Sequence, residues 1–371
     1  MQFIDLKTQQ NTIRHSVRAR IDAVLEHGKF ILGPEVAELE DKLAAYVGVK
    51  HCISCSDGTT ALLMALMAKG VGPGDAVFTS TFTFIATAEV IALLGATPVF
   101  IDIDDTTFNI SPAKLHEAVK KAANEGKAKP KGIIPVDLFG LAADYDAVNA
   151  IAKEHGLFVL EDAAQGFGGT YNGKKSGSLA EIAATSFFPA KPLGCYGDGG
   201  AVFTNDDDVA QVLRSIRVHG KGADKYDNVR IGLNGRLDTL QAAILLAKLE
   251  VFDKELEAKQ RVAKRYSQAL GSAVTLPTVP DGYSSAWAQY SVRSPKRDAI
   301  CAALKEKGVP TTIYYPKPLH LQSAFAGLGY KEGDFSVAEE VCRTVFSLPM
   351  HAYLSEQDQR LICDVIVRAV E

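Results

Sequence analysis

Cysteine, tryptophan and charge of one sign are all scarce in this sequence. Its 371 residues include six cysteines and one tryptophan, and cysteines this sparse do not form a disulfide framework. Lysine and arginine number 40 against 44 aspartate and glutamate residues, which gives a net charge of −4. No basic run is long enough for a polyanion-binding surface. We therefore expect a reduced, cytoplasmic protein that binds no nucleic acid.

Long hydrophobic runs are also missing. The most apolar stretch, residues 76–101, is interrupted by Glu89, Gly95 and Pro98, whereas a membrane-spanning helix needs about 20 consecutive apolar residues. The beginning of the sequence, Met1–Arg20, has no apolar segment typical of a secretory signal. We expect no membrane insertion.

The chain does have a regular alternation of strand-like and helix-like segments. Hydrophobic residues make up 47% of it, as in an ordinary globular protein. Continuous apolar strands that alternate with helices favour an α/β fold, with a mostly parallel sheet between helices. The predicted strands are Cys52–Ser54, Val77–Ser80, Pro98–Ile103, Gly132–Val136, Leu157–Leu160, Ala183–Phe188 and Ala201–Thr204. The predicted helices are Thr60–Lys69, Thr87–Leu94, Pro112–Glu125, Tyr145–His155 and Asp207–Val218.

The last third of the chain has a different pattern. Leu237–Leu270 predicts one long helix, and Gly271–Ser285 is rich in glycine, proline and serine. Shorter elements follow, namely the strands Gln289–Arg293 and Pro310–Tyr314 and the helices Arg297–Lys307 and Ser355–Val370. We therefore predict a large domain over residues 1–250 and a smaller α+β domain over residues 251–371.

Two glycine-rich motifs are incomplete. Gly166–Gly169 lacks the last glycine of a dinucleotide fingerprint. Gly168–Lys174 has the glycine spacing and the lysine of a phosphate-binding loop, but Lys175 stands where a magnesium-binding hydroxyl belongs. A hairpin turn at Tyr171–Lys175 is the simpler interpretation.

No motif predicts a metal site. Cys52 and Cys55 have the spacing of a redox or zinc pair, but no second close pair accompanies them. On a strand, three residues apart, they would lie on opposite faces. We therefore expect buried thiols, and the eight scattered histidines add no ligand set.

Two features predict where a planar, anionic ligand would bind, at strand ends where sheets of this kind hold ligands. Ser56–Leu63 opens a helix, and its free N–H groups with Gly58 and Thr59 favour an anion, although an ordinary capped helix is equally consistent. Thr81–Phe84 places Phe84 just after a strand, where its ring could stack on a ligand or belong to the core.

Two further features carry ionisable groups. Glu161–Gln165 puts Asp162 at the end of a buried strand, where a carboxylate can keep a heteroaromatic nitrogen protonated or only cap a helix. Lys191 stands among apolar and small residues, and desolvation favours the neutral amine of Schiff-base chemistry; a lysine that reaches solvent is the alternative. The four features together are what a pyridoxal 5′-phosphate (PLP) enzyme requires.

With these motifs the sequence resembles the DegT/StrS family of sugar-nucleotide aminotransferases, in the fold-type I PLP superfamily. The resemblance covers nearly the whole chain. Its markers are Phe30–Glu40, Ser56–Leu62, Thr81–Ala86, Glu161–Gln165, Ser186–Gly200, Asn234–Ala243 and Tyr314–His320. The resemblance implies PLP as the cofactor and a homodimer whose subunits share the active sites.

The resemblance also implies a role for individual residues. Lys191 would form the imine with PLP and move the proton, and Asp162 would pair with the pyridine nitrogen. The further cofactor contacts would be Gly58, Thr59, Phe84, Gln165, Ser186 and, from the other subunit, Asn234. The substrate contacts would be Arg230, Arg236, Tyr314, Tyr315 and His320.

Within the family, Lys191 argues against the dehydratase branch, which has histidine there. Lys191–Gly200 and Arg236–Ala243 are most similar to members that aminate C3 of UDP-2-acetamido-2-deoxy-3-oxo-glucuronate for lipopolysaccharide O-antigen synthesis. L-Glutamate is the expected amino donor. Two alternatives stay open: amination of C4 or C3 of a 6-deoxy sugar nucleotide, and a PLP-binding regulator without catalysis.

Overall fold

The structure, a computed structural model, describes residues 1–224 and 226–370. It begins with two helices that the alternation pattern does not reveal, α1 (Leu6–His27) and α2 (Pro34–Val47). Asp5 caps α1 by accepting a hydrogen bond from the Thr8 N–H at 2.9 Å. Only three residues of α1 are buried, so its apolar stripe is too thin to show in the sequence.

The other elements of the described chain follow in order. The helices are α3 (Gly58–Ala68), α4 (Ala86–Leu93), α5 (Pro112–Glu125), α6 (Tyr145–His155), α7 (Asp207–Ile216), α8 (Thr239–Leu249), α9 (Phe252–Leu270), α10 (Arg297–Glu306), α11 (Ser336–Thr344) and α12 (Glu356–Val370). The strands are β1 (His51–Cys55), β2 (Asp75–Ser80), β3 (Thr97–Ile101), β4 (Lys129–Ile134), β5 (Phe158–Asp162), β6 (Thr170–Tyr171), β7 (Lys174–Lys175), β8 (Ile182–Ser186), β9 (Gly200–Thr204), β10 (Tyr283–Ser284), β11 (Tyr290–Arg293) and β12 (Val345–Leu348).

Seven strands form the central sheet, in the order β1-β9-β8-β5-β4-β2-β3. Strand β9 pairs antiparallel with both neighbours, and the remaining pairs of this sheet are parallel. Helices α3, α4 and α7 pack on one face, and α2, α5, α6 and α8 contribute to the cores on the other. The predicted α/β fold is confirmed, and the carboxyl ends of β2, β4, β5 and β8 share one edge.

Two local predictions are confirmed. Cys52 and Cys55 are buried free thiols of β1 and pack into different cores, because three positions along a strand reverse the face. The segment that resembled a phosphate-binding loop is a hairpin between β6 and β7. Asn172 (φ 48°) and Gly173 (φ 79°) take the left-handed conformation that a two-residue turn requires.

Two predicted elements are wrong. The long helix Leu237–Leu270 is broken, because α8 ends at Leu249 and α9 begins at Phe252. The break lets Phe252 pack with the large core while the rest of α9 packs with the C-terminal core. The expected strand Pro310–Tyr314 is reduced to a single bridge between Thr312 and Ser347, since its first residue, a proline, has no N–H to donate.

The C-terminal core is built from residues after position 251, on α9, α10, α12, β11 and β12. We keep residue 250 as the proposed boundary between a large and a small domain, with the α8–α9 break beside it. Among the described residues, no helix has the length and apolar character needed to cross a membrane.

Candidate active site

Asp162 is the last residue of β5 and is 4% exposed. Its Oδ2 accepts a hydrogen bond from the Thr87 hydroxyl at 2.8 Å, and its Oδ1 accepts one from the Ala164 N–H at 3.1 Å. Burial raises the pKa of Asp162, and both donors and the Lys191 charge oppose that rise. A carboxylate has about four acceptor positions, so Asp162 can still accept a hydrogen bond from the N–H of a protonated ring nitrogen.

Lys191 lies in the loop between β8 and β9 and is half-buried. Burial lowers the pKa of its ammonium group, and the negative charge of Asp162 acts in the opposite direction. The residues that the structure describes offer its Nζ no hydrogen-bond acceptor. A half-buried amine with a lowered pKa and no fixed partner is suited to nucleophilic attack on a carbonyl.

The first turn of α3 meets the end of β8. Asp57 caps the helix by accepting from the Thr60 N–H at 2.7 Å, and the N–H groups of Gly58 and Thr59 have no acceptor inside the helix. A Cβ on Gly58 would lie 2.6 Å from Ser186 Cβ, so only glycine lets the Ser186 hydroxyl approach the helix end. The result is a cradle of N–H and O–H donors at the positive end of a helix, which fits a phosphate group.

Gln165 and Phe84 are the two other residues that the sequence analysis assigned to the cofactor ring. Gln165 is buried; its Oε1 accepts from the Phe139 N–H at 2.8 Å, and its Nε2 donates to the Tyr315 hydroxyl at 3.2 Å. Phe84 is 54% exposed, an unusual position for a phenylalanine that belongs to a core. Its ring is therefore free to cover a planar ligand.

Of the predicted arginines, Arg230 is exposed and Arg236 is half-buried, with an Nε that has no hydrogen-bond partner among the described residues. Asn234 is also exposed and lies on the segment between α7 and α8. The base of this segment is fixed beside α3, because the Gly235 carbonyl accepts from the Ser56 N–H at 3.0 Å. Gly235 therefore lies next to the residues that precede α3, whereas Arg230 lies at the surface.

His320 is fully enclosed below the loop that carries Phe84. Its Nδ1 lies 2.7 Å from Thr81 Oγ1, and its Nε2 lies 3.2 Å from Glu339 Oε1. Burial lowers the pKa of its ring, and Glu339 opposes this effect. The structure gives His320 a supporting position, and its contact with a sugar stays a prediction, as it does for the half-exposed pair Tyr314 and Tyr315.

Two residues next to Asp162 were not singled out by any sequence motif. Thr87 holds its carboxylate, and the Asp137 N–H donates to its backbone carbonyl at 3.0 Å. A lone hydroxyl in the apolar helix α4 was the available signal for Thr87. For Asp137, the signal was an acid just beyond the end of β4.

Comparison with known proteins identifies related sequences. The model of the DegT/DnrJ/EryC1/StrS aminotransferase family matches residues 11–367. The UDP-2-acetamido-2-deoxy-3-oxo-D-glucuronate aminotransferase of Pseudomonas aeruginosa is 50% identical over 364 residues, which are 98% of each chain. A pleiotropic regulatory protein of Geobacillus stearothermophilus is 47% identical over 98% of this chain and 97% of its own.

Solved structures share the fold. A DegT/DnrJ/EryC1/StrS aminotransferase from Brucella abortus has a TM-score of 0.96 and 53% identity, over 99% of this chain and 98% of its own. NtdA from Bacillus subtilis, solved with the bound cofactor PMP, has a TM-score of 0.89 and 27% identity, over 97% and 82% of the two chains. PMP is the aminated form of PLP.

Proposed function

The chain belongs to the DegT/DnrJ/EryC1/StrS aminotransferase family, and on this premise we propose that it transfers an amino group from L-glutamate to C3 of UDP-2-acetamido-2-deoxy-3-oxo-glucuronate. It is a PLP-dependent aminotransferase. The observation that carries the choice of sugar is the 50% identity, over 98% of both chains, with the P. aeruginosa enzyme. A role in lipopolysaccharide O-antigen synthesis and a cytoplasmic location are part of the proposal.

When bound, PLP supplies an electron sink for the carbon that loses or gains the proton. Lys191 would have two roles, namely covalent attachment of the cofactor and transfer of that proton. Its lowered pKa supports both, because the neutral amine is the reactive form. Asp162 would keep the proton on the ring nitrogen, and the Thr87 hydroxyl would fix the carboxylate in place.

The remaining cofactor contacts would come from the start of α3, the end of β8, Phe84 and Gln165. The N–H groups of Gly58 and Thr59 and the Ser186 hydroxyl would bind the phosphate, since the start of α3 has free N–H groups and Gly58 lets Ser186 lie close to it. The exposed ring of Phe84 would stack on the pyridine ring. Gln165 would contact the ring from its fixed position next to Tyr315.

A homodimer would complete the site. Large apolar side chains are exposed on the single chain, including Phe30 (47%), Ile31 (51%), Val229 (54%) and Ile231 (85%), and a second copy would bury them. The last two flank Arg230 and stand close to Asn234 in sequence. In the proposed dimer, Asn234 of each subunit reaches the phosphate of the other.

The substrate carries negative charge that needs donors. A diphosphate and a carboxylate are best bound by arginine, because its planar group makes paired hydrogen bonds. Arg230 and Arg236 are the proposed arginines, and Tyr314, Tyr315 and His320 the proposed boundary of the sugar site. Arg230→Ala and Arg236→Ala should raise the KM for the sugar nucleotide; an unchanged KM in both variants would remove this assignment.

The first experiment is the visible spectrum of the purified protein with PLP, before and after addition of L-glutamate. We expect a cofactor band that L-glutamate converts to that of PMP. Adding UDP-2-acetamido-2-deoxy-3-oxo-glucuronate to the converted protein should restore the first band, and NMR of the product should show nitrogen at C3. The same protein given a 4-keto 6-deoxy sugar nucleotide is the matched comparison, and preference for that substrate would contradict the proposed sugar.

A second candidate is a PLP-binding regulator, which the 47% identity with the G. stearothermophilus regulatory protein favours. The presence of Lys191 and Asp162 speaks for catalysis. A cofactor band that no amino donor changes would support the regulator and contradict the aminotransferase.

A further inference from the structure

Next to Asp162 lies a pair of buried carboxyl groups, those of Glu161 and Asp137, that have no role in the proposed transamination. Glu161 precedes Asp162 in β5, so its side chain points to the opposite face of the sheet. Asp137 follows the end of β4, and both Glu161 and Asp137 are 0% exposed. The hydroxyl of Ser176 contacts both carboxyl groups.

Glu161 is surrounded by hydrogen-bond donors. Its Oε1 accepts from the Gly177 N–H at 2.5 Å and lies 2.9 Å from Ser176 Oγ. Its Oε2 accepts from the Leu179 N–H at 2.8 Å. Both oxygens therefore face backbone N–H groups, which can only donate, and this arrangement favours the ionised carboxylate.

Asp137 is arranged differently. Its Oδ1 accepts from the Tyr145 hydroxyl at 2.8 Å and from the Ala143 N–H at 3.3 Å. Its Oδ2 has a short contact with Ser176 Oγ and, among the described residues, no N–H donor. Oδ1 therefore has the surroundings of a carbonyl oxygen, and Oδ2 can carry a proton.

The number of protons available to the three side chains decides which carboxyl group is protonated. A hydroxyl group has one proton, so Ser176 can donate to only one of the two carboxyl groups. The other contact must be made by a carboxyl proton that donates to Ser176 Oγ. The donors around Glu161 leave Asp137 Oδ2 as its place, and the relay runs from Asp137 through Ser176 to Glu161.

The charges around the pair agree with one retained proton. Neither carboxyl group forms an ion pair with a lysine, arginine or histidine in the described part of the chain. Burial raises the pKa of Asp137 and that of Glu161, because two ionised carboxylates cannot share a dry site. The titratable groups that face the pair are Tyr145 and Tyr283, and the charge of Asp162 also acts on Tyr145.

We propose that Asp137 is a positioning residue that keeps its proton in the folded enzyme and holds the backbone beside Asp162 and Gln165. Its own N–H donates to the Asp162 carbonyl at 3.0 Å, and the Asp162 N–H donates to the Pro135 carbonyl at 2.9 Å. Two residues on, the Phe139 N–H donates to Gln165 Oε1 at 2.8 Å. The positioning role rests on the proposed function, in which Asp162 and Gln165 contact the cofactor.

Gly166, the first residue of the glycine-rich stretch, packs against Asp137 and Ser176. A Cβ on Gly166 would lie 2.4 Å from Asp137 Cβ and 2.6 Å from Ser176 Oγ. Contacts this short leave no room for a side chain, so the relay can close only against glycine.

Two amide variants test where the proton lies. Asp137→Asn puts an amide N–H where the carboxyl proton donates and keeps an oxygen for Tyr145 and the Ala143 N–H. Glu161→Gln is the matched control, because its amide N–H must face either the Gly177 N–H or the Leu179 N–H. We expect Asp137→Asn to fold with a melting temperature at or above that of the wild type at pH 8, and Glu161→Gln to melt several degrees lower.

The pH dependence has a defined sign. In the unfolded chain an aspartate has a pKa near 3.9, whereas in the folded chain burial beside Glu161 raises the pKa of Asp137. Wild-type stability should therefore fall as the pH rises from about 4 toward the raised pKa of the folded chain. Asp137→Asn has no proton to lose, so its melting temperature relative to wild type should increase between pH 5 and pH 8. Asp162 and the tyrosines titrate in both proteins, and the difference cancels their contributions to a first approximation.

A flat difference across this pH range would overturn the proton assignment, as would an Asp137→Asn variant that is as unstable as Glu161→Gln. The positioning role is tested by the rate of the L-glutamate half-reaction. Asp137→Ala should lower this rate with little change in KM, and Asp137→Asn should restore it to within a few-fold of wild type. A wild-type rate in Asp137→Ala would overturn the positioning role.

Melting curves recorded without PLP keep the two proposals apart. If wild-type protein does not react with any amino donor but the pH-dependent difference between wild type and Asp137→Asn is present, the proposed function fails and the proton assignment stands. If the half-reaction proceeds and the difference is flat, the function stands and the proton assignment fails.

Discussion

Glu161 and Asp162 are consecutive acids on one strand, and their surroundings differ in every respect but burial. Glu161 points away from the site and accepts from Ser176 and two backbone N–H groups. Asp162 points to the site, accepts only from Thr87 and Ala164 among the described residues, and has a half-buried lysine nearby. Burial raises the pKa of both.

Glu161 has a structural role and Asp162 a proposed chemical role, although the two residues are adjacent in one strand. Alternation along a strand sends neighbouring side chains to opposite faces, so the two carboxyl groups meet different sets of donors. A carboxylate whose acceptor positions are filled by its own chain is a structural element. One that keeps a position open toward a cavity is available to a ligand.

The largest effect should come from removing the lysine on the site face. Lys191→Ala should reduce the rate of transamination by about 10⁴-fold or more, because both covalent attachment and proton transfer are lost. The visible band of the cofactor in the resting protein should also change. Steady-state kinetics and absorption spectra are the measurements.

Lys174→Ala is the matched control for this prediction, since Lys174 is exposed on the β6–β7 hairpin. It should leave both the rate and the spectrum as in wild type. Normal turnover in Lys191→Ala would place the reactive amine elsewhere.

Asp162→Asn should have the next largest effect on the rate. Together with Glu161→Gln, it should distinguish the role of Asp162 from that of Glu161. We expect the rate to fall by about 10²–10³-fold, because an amide cannot stabilise a proton on the ring nitrogen, while the melting temperature changes little. Glu161→Gln should do the reverse, with a loss of stability on the order of 2 kcal/mol and a smaller loss of rate. Equal losses of rate in the two variants would erase the distinction between them.

Thr87→Val should have an intermediate effect on Asp162. The Thr87 hydrogen bond counteracts the effect of burial on the pKa of Asp162. Without this hydrogen bond, the pKa of Asp162 should rise further. Since the ionised carboxylate is the active form, the acid limb of the pH–rate profile should move to higher pH. At neutral pH the rate should fall by about ten-fold, which corresponds to one charge-assisted hydrogen bond.

The control for Thr87→Val is Thr79→Val, whose hydroxyl donates to the Ile134 carbonyl at 2.8 Å within the same sheet. It should lower stability without moving the pH–rate profile. If both variants shift the profile alike, the Thr87 hydroxyl acts on folding and not on Asp162.

The smallest effect should come from Tyr315→Phe. The variant removes the hydroxyl that accepts from Gln165 Nε2 at 3.2 Å, but Gln165 keeps its contact with the Phe139 N–H. We expect a loss of rate of a few-fold, as for a single neutral hydrogen bond. Tyr314→Phe, with no Gln165 contact in the described structure, should have less effect, and the opposite order would show that Gln165 is not held by Tyr315.

The sequence was a good guide where a local pattern corresponds to a local structure. Helices α5 and α6 begin and end where predicted, because Ser111 and Asp144 cap them and Gly126 and Gly156 end them. It failed for α1, whose buried stripe is too thin, and at the α8–α9 break. That break depends on which core each half packs against, and a sequence pattern does not encode that choice.

By itself the sequence determined the α/β fold, the place of Asp162 at the end of a buried strand, and a helix that opens after Ser56, although the predicted start at Thr60 is two residues late. Each of these follows from the order of residues along one strand or one helix, and strand ends in a parallel sheet meet at one edge. Only the tertiary structure decided that Thr87 holds Asp162, that His320 contacts Thr81, and that the Ser176 hydroxyl contacts both Asp137 and Glu161. These contacts join residues far apart in the chain. Whether they form depends on differences of a few tenths of an ångström in atomic position, which the spacing of residues along the sequence does not specify.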